Sequence, residues 1–80
     1  LQLREEARFA LQAKRDFPRA LALAQRNWKV QHEYWDVRLL LACAAAAGQP
    51  QAAAPALDWM RNSGYQDARL ADLLKAAGAP

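Results

Sequence analysis

Apolar positions return along this chain at three- and four-residue intervals, in five runs separated by short polar stretches. That spacing turns one side of a helix toward a core. Leu3, Ala7, Ala10 and Leu11 predict a first helix over about 2–14, with Glu5 and Arg8 able to pair along its outside. Phe17, Ala20, Leu21, Ala24 and Trp28 predict a second over about 17–31, capped by Asp16, with Pro18 in the first turn where amides have no internal partner. The central run puts Leu40, Leu41, Cys43, Ala44 and Ala47 on one broad side. Asp36 reads as its cap and Gly48 as its stop, so a helix over Val37 to Gly48 follows a link at His32 to Trp35. A fourth helix, Pro50 to Asn62, carries Pro55, which predicts a kink or a late start, and Ser63-Gly64 closes it. Asp67 reads as the cap of a fifth with Leu70, Leu73, Leu74 and Ala77 on one side, stopped by Gly78.

Strand formers are missing. The chain has no Ile and no Thr, and its β-branched residues are Val30 and Val37 alone, while Ala and Leu dominate. The expected fold is all-α.

The runs also repeat one another. Trp28, Tyr34, Asp36, Arg38 and Leu39 recur as Trp59, Tyr65, Asp67, Arg69 and Leu70, each displaced by 31 residues, and Ala46-Ala47-Gly48-Gln49-Pro50 recurs as Ala76-Ala77-Gly78-Ala79-Pro80, displaced by 30. A period of that length holding two helices means antiparallel hairpins stacked side by side, because neither helix covers its apolar stripe alone. The expected architecture is therefore an α-α superhelix, or solenoid, of about five helices in one domain over 1–80, with units at about 2–33, 34–64 and 65–78. Alanine seams bring the axes close, Ala42 to Ala47 facing Ala20 and Ala24 on one side and Ala52 to Ala56 on the other. The last unit reads as a half repeat or capping helix with Arg69, Asp72 and Lys75 outward; Ala79-Pro80 as the start of another repeat is the alternative. A chain that opens inside helical periodicity, without Met, is expected to be a piece of a longer protein.

In these features the chain resembles the tetratricopeptide repeats of bacterial proteins, over about two and a half repeats. Arg15-Asp16-Phe17-Pro18-Arg19-Ala20 is similar to that family's Gly-Asp-Tyr-x-x-Ala turn; Ala7, Ala10, Ala20 and Ala24 or Asn27 fall where it carries small or apolar residues, and Gly48 and Ala53 match the second turn. The chain departs from the family in its period of 30 to 33 against the usual ~34, in Arg15 for Gly, and in Tyr34 and Trp35 where a proline is usual. Sel1-like and half-a-tetratricopeptide repeats resemble it next. The resemblance implies a peptide or protein segment held in a concave groove lined by the first helix of each pair. Matched by position, its lining is Glu5, Phe9 and Gln12, then Trp35 and Arg38, then Tyr65, Asp72 and Lys75, over a floor of Ala42 and Ala45.

Catalytic chemistry has little to draw on. One serine, Ser63, one histidine, His32, and one cysteine, Cys43, stand apart in sequence, and no glycine-rich phosphate loop exists among Gly48, Gly64 and Gly78. An enzyme is not expected, nor a cofactor. His32, Glu33 and Asp36 are the one metal-like grouping; without a thiolate or second histidine they read as a solvated turn with a cap. Cys43 reads as a small buried side chain, and Leu40-Leu41-Ala42-Cys43, though similar to a lipoprotein attachment site, has no leader before it. The apolar run Leu39 to Gly48 is half of the ~20 residues that a membrane span needs, so a soluble protein of cytoplasm or periplasm is expected.

Net charge is +3, concentrated in residues 1–31, where seven cations face Glu5, Glu6 and Asp16. A basic ridge of Arg4, Arg8, Arg15 and Arg19 offers a second reading, binding of nucleic acid or an acidic partner, disfavoured by those three acids. A third is a structural cap that self-associates through Leu1, Leu3 and Leu11.

Overall fold

The structure, a computed structural model, describes residues 2–78. The readings placed on Leu1, Ala79 and Pro80 lie outside the described residues. Five α-helices follow in order: α1 Leu3–Gln12, α2 Phe17–Trp28, α3 Tyr34–Ala46, α4 Ala54–Ser63 and α5 Ala71–Ala76. Short 3-10 turns, Pro50–Ala53 and Ala68–Leu70, lead into α4 and α5. Among the described residues there is no strand, and the fold is all-α.

α3 is the hub. It packs against α1 and α2 on one side and α4 and α5 on the other, which explains why its stripe is so broad: Val37, Leu39, Leu40, Leu41, Cys43 and Ala44 are all buried. Alanines let neighbours close in, with Ala7, Ala20, Ala53 and Ala56 wholly inaccessible. Leucine supplies most of the apolar area, through Leu21, Leu23, Leu40, Leu41 and Leu70. The two repeated tryptophans meet edge to face, Trp28 and Trp59 lying 5.6 Å apart between ring centres, and so tie α2 to α4. Successive helices thus form packed pairs around one core.

Several boundaries differ from the sequence reading: α1 ends at Gln12, two residues early, and Asp67 caps a 3-10 turn that precedes α5. α3 begins at Tyr34, not Val37, because the Glu33 amide is satisfied by the Asp36 carboxylate at 2.9 Å; Asp36 sits inside the first turn and is buried. Trp35 is therefore helical. α2 ends at Trp28, three residues early. Pro55 brings a late start: the chain from Pro50 first makes a 3-10 turn, which leaves the ring in the first turn of α4, where its missing N–H is harmless.

The first inter-helix turn closes without glycine. Arg15 takes a left-handed backbone with φ of 52°, the role that Gly48 and Gly64 fill at the ends of α3 and α4. Its guanidinium lies 5.2 Å from the centre of the Phe17 ring. Asp16 then caps α2 by accepting from the Arg19 amide at 3.3 Å.

Candidate functional site

A groove of about 430 Å³ runs between α1 and α3. From α1 it takes Arg4, Glu5, Arg8, Leu11 and Gln12, which recur at helical spacing on one face; from α3 it takes Trp35, Arg38, Leu39 and Ala42. Its floor is apolar, and alanine at position 42 leaves room above it. Its rim is largely basic.

The wall between α1 and α3 is held by a buried ionic network. Asp36 Oδ1 accepts from Arg4 Nε at 3.0 Å and from Asn27 Nδ2 at 2.7 Å; Oδ2 accepts from Arg4 Nη2 at 3.2 Å and from the Glu33 amide at 2.9 Å. Arg4 also donates to Gln31 at 3.0 Å, and Gln31 in turn donates to Asn27. The fork of the guanidinium matches the two carboxylate oxygens, the arrangement in which a charge-assisted pair is strongest. Hydrogen bonding to Asp36 holds the Arg4 proton more tightly than in free arginine. Among the described residues no buried side-chain nitrogen or oxygen lacks a partner.

With Asp36 thus satisfied, the other groove cations stand without a carboxylate. Among the described residues Arg8 and Arg38 make no ion pair, and the hydrogen bond of Arg38 goes to the Tyr34 hydroxyl at 3.3 Å. Trp35 is 54% exposed beside them, its ring set edge-on to Tyr34.

Four of the eight residues expected to line the groove meet here: Glu5, Gln12, Trp35 and Arg38. Phe9 projects from α1 into a separate depression with Glu6, Lys14, Asp16 and Arg19, where the Lys14 ammonium lies 5.9 Å from its ring centre. Tyr65 lines a third depression between α4 and α5 with Leu57, Met60 and Leu74; its hydroxyl donates to Asp67 at 3.3 Å, and its ring stands 5.3 Å from that of Trp59. Asp72 and Lys75 are exposed on α5. Ala45 is exposed and lies outside the lining, so Ala42 alone supplies the alanine floor.

Two readings change. The His32, Glu33 and Asp36 grouping is no solvated turn: Asp36 is spent on Arg4 and Asn27, and the His32 ring stacks on Trp28 at 4.1 Å. The ridge of Arg4, Arg8, Arg15 and Arg19 does not form either, because Arg4 is drawn inward and Arg8 belongs to the groove. Sequence reasoning missed Arg8 as a groove residue and the whole Asp36 network. The signal was present: Asn27 lies one turn beyond Ala24 on the apolar face of α2, and Asp36 is in step with Leu40, Cys43 and Ala47.

The remaining reactive side chains are quiet. Cys43 is buried, and burial pushes its thiol up to about 11. Ser63 Oγ accepts from the Tyr65 amide at 3.3 Å. Among the described residues no group of three His, Cys, Asp or Glu side chains is placed to hold a metal ion, and no helix is long and apolar enough to cross a membrane. Comparison with family models, curated proteins and solved structures finds no match to this chain.

Proposed function

We propose that this chain is a non-catalytic interaction module of the tetratricopeptide type, a stack of helix hairpins that takes a peptide or protein segment in the groove between α1 and α3. The observation that carries the reading is exposed Trp35 lining one groove with Ala42 and with Arg8 and Arg38, two cations that make no ion pair among the described residues. Trp and Arg are the side chains that most often anchor a protein interface, and a groove with an apolar floor accepts one or two side chains from a partner. Its charge favours a segment that pairs an acidic residue with an apolar one. The order of contacts, α3 against α1 and then α5, is what hairpins stacked in sequence produce. The buried, protonated Cys43 and the stacked His32 supply no nucleophile and base pair, which supports a binding role over an enzymatic one.

The test is selection of twelve-residue peptides from a random library, followed by calorimetry with variants. Trp35→Ala and Arg38→Glu are each expected to weaken the selected peptides roughly tenfold or more, with unchanged helicity by circular dichroism, while Phe9→Ala leaves affinity unaltered. Wild-type affinity in both groove variants defeats the assignment.

A further inference from the structure

Away from the groove, α2 carries a row of cations along its outer side. Arg19, Arg26 and Lys29 are exposed, with Ala22 completing the four-and-three spacing that places them on one face, about 15 Å long. Lys14 and Arg15 stand in the turn at its head, also exposed. From Phe17 to His32 the chain contains no acid, and among the described residues none of these cations makes an ion pair. The acids nearest the head are Glu6 and Asp16, which share a depression with Arg19.

Helix stability does not explain the row. Arg26 in the last turn and Lys29 at the C-cap do complement the negative end of the helix. Arg19 in the first turn opposes the dipole, as do Lys14 and Arg15 just before it. The inner side of α2, with Leu21, Leu23, Ala24 and Trp28, is buried in the core, so the one large apolar side chain exposed at the row is Val30 beside Lys29, too little to anchor the helix in a lipid surface. It has no tryptophan or tyrosine anchor and, past Arg19, borders none of the three depressions. A surface that recognises by charge alone, in a line, fits a regular polyanion.

We propose that the outer face of α2 binds the phosphate backbone of double-stranded nucleic acid without reading its sequence. Arg19, Arg26 and Lys29 lie against phosphates of one strand, which presents a charge about every 3.4 Å of axis, and Gln25, exposed beside them, donates to a phosphate oxygen. A duplex fits better than a single strand, because single-strand surfaces stack bases on successive aromatic side chains and the row from Arg19 to Lys29 exposes none, Phe9 standing apart in the depression at its head. The groove is on another face, so the two surfaces can be occupied together.

The experiment is fluorescence anisotropy of a labelled random-sequence 20-base-pair duplex titrated with the chain at 50 to 200 mM NaCl. Three phosphate contacts give a slope of log K against log salt of about −2.7, a roughly 40-fold loss over that range. Arg19→Gln, Arg26→Gln and Lys29→Gln together are expected to abolish both binding and slope with the circular dichroism unchanged, while Arg8→Gln with Arg38→Gln retains both. No duplex binding at 50 mM NaCl overturns the proposal. So does binding that survives the triple replacement, or binding to phosphatidylserine vesicles or polyglutamate where the duplex is not bound.

Discussion

Replacing Asp36 is the most direct probe of what holds α1 to the rest. In the wild-type chain its carboxylate is inaccessible and accepts four hydrogen bonds, two from Arg4, one from Asn27 and one from the Glu33 amide. Asp36→Ala removes them together and leaves the buried Asn27 amide without its acceptor, and breaking a buried pair from one side costs about 3–5 kcal/mol. Arg4 keeps some water and can fall back on Gln31 and on Glu33, at 3.0 and 3.4 Å, which places the loss near the lower figure, about 3 kcal/mol. A chain of this size has roughly 4–12 kcal/mol in all. Urea titration followed by circular dichroism should therefore show the midpoint falling by about 3 M at a slope near 1 kcal/mol/M, and the melting temperature by about 12 °C or more. Asp36→Asn is not a conservative remedy. Each carboxylate oxygen faces two donors, so whichever is replaced by NH₂ meets donors with a donor. Arg4→Met combined with Asp36→Ala should cost less than the sum of the single changes, since no cation is then stranded. The exposed pair Asp58 and Arg61 is the control, with Arg61→Ala moving stability by under about 0.5 kcal/mol. A loss under 0.5 kcal/mol for Asp36→Ala, or wild-type stability for Asp36→Asn, would refute the reasoning.

Three further outcomes are expected. Arg15→Gly relieves a left-handed residue with φ of 52° at the loss of one stacking contact on Phe17, and should raise stability by about 0.5 kcal/mol, seen as a melting temperature about 2–4 °C higher. Asp67 is held well below the ordinary carboxylate range, first by the Arg69 side chain and then by the Arg69 amide. The unfolded chain then binds the extra proton, at a pKa of about 3.9, so this contribution is complete above that pH and is lost as pH falls toward the folded value; carbon-13 titration should give Asp67 a lower midpoint in the folded chain than in the urea-unfolded one. Because burial raises the Cys43 thiol to about 11, the folded chain at pH 8 holds roughly 200-fold less thiolate than the unfolded one, and iodoacetamide labelling should slow at least that much until urea unfolds it.

The helices were legible in the sequence because packing and pattern agree there. Ala7, Ala10, Leu21, Leu40, Cys43 and Leu70 were all assigned to inward faces by spacing, and all are buried. What escaped was decided by tertiary pairing. Asp36 has the sequence character of a cap, and only the arrival of Arg4 from a helix 32 residues earlier makes it affordable to bury that carboxylate one turn inside α3. Phe9 and Trp35 look alike as aromatic residues on first helices, yet their positions around the helix send one to each side of α1 and α3, a difference of phase that a soft repeat alignment does not resolve.

The same limit explains how one repeated motif comes to do two jobs. Tyr34, Asp36 and Arg38 match Tyr65, Asp67 and Arg69, but α2 stops at Trp28 whereas α4 runs on past Trp59 to Ser63. Gly64, with φ of 74°, then closes α4 where Glu33 had opened α3. The second copy therefore reaches its aspartate before the next helix has begun. Asp67 lies outside the helix, where Arg69 can fold back to it through Nε at 2.9 Å and Nη2 at 2.6 Å, and the same guanidinium covers the Tyr34 ring at 3.6 Å. In the first copy Asp36 is already helical, and residues two apart on a helix do not face one another. Arg38 cannot reach it; Arg4 takes its place, and Arg38 is released to the groove. The free cation on which the binding proposal rests is thus a consequence of where α3 begins. Moving that start should move the cation: Glu33→Gly, which gives the first link the second one's glycine, is expected to loosen the first turn of α3. Backbone NMR should show that loosening as faster amide exchange at Asp36 and Val37, with weaker peptide binding at Arg38. Unchanged exchange together with lost binding would mean that Glu33 contacts the ligand directly and that the helix start is not what sets the groove.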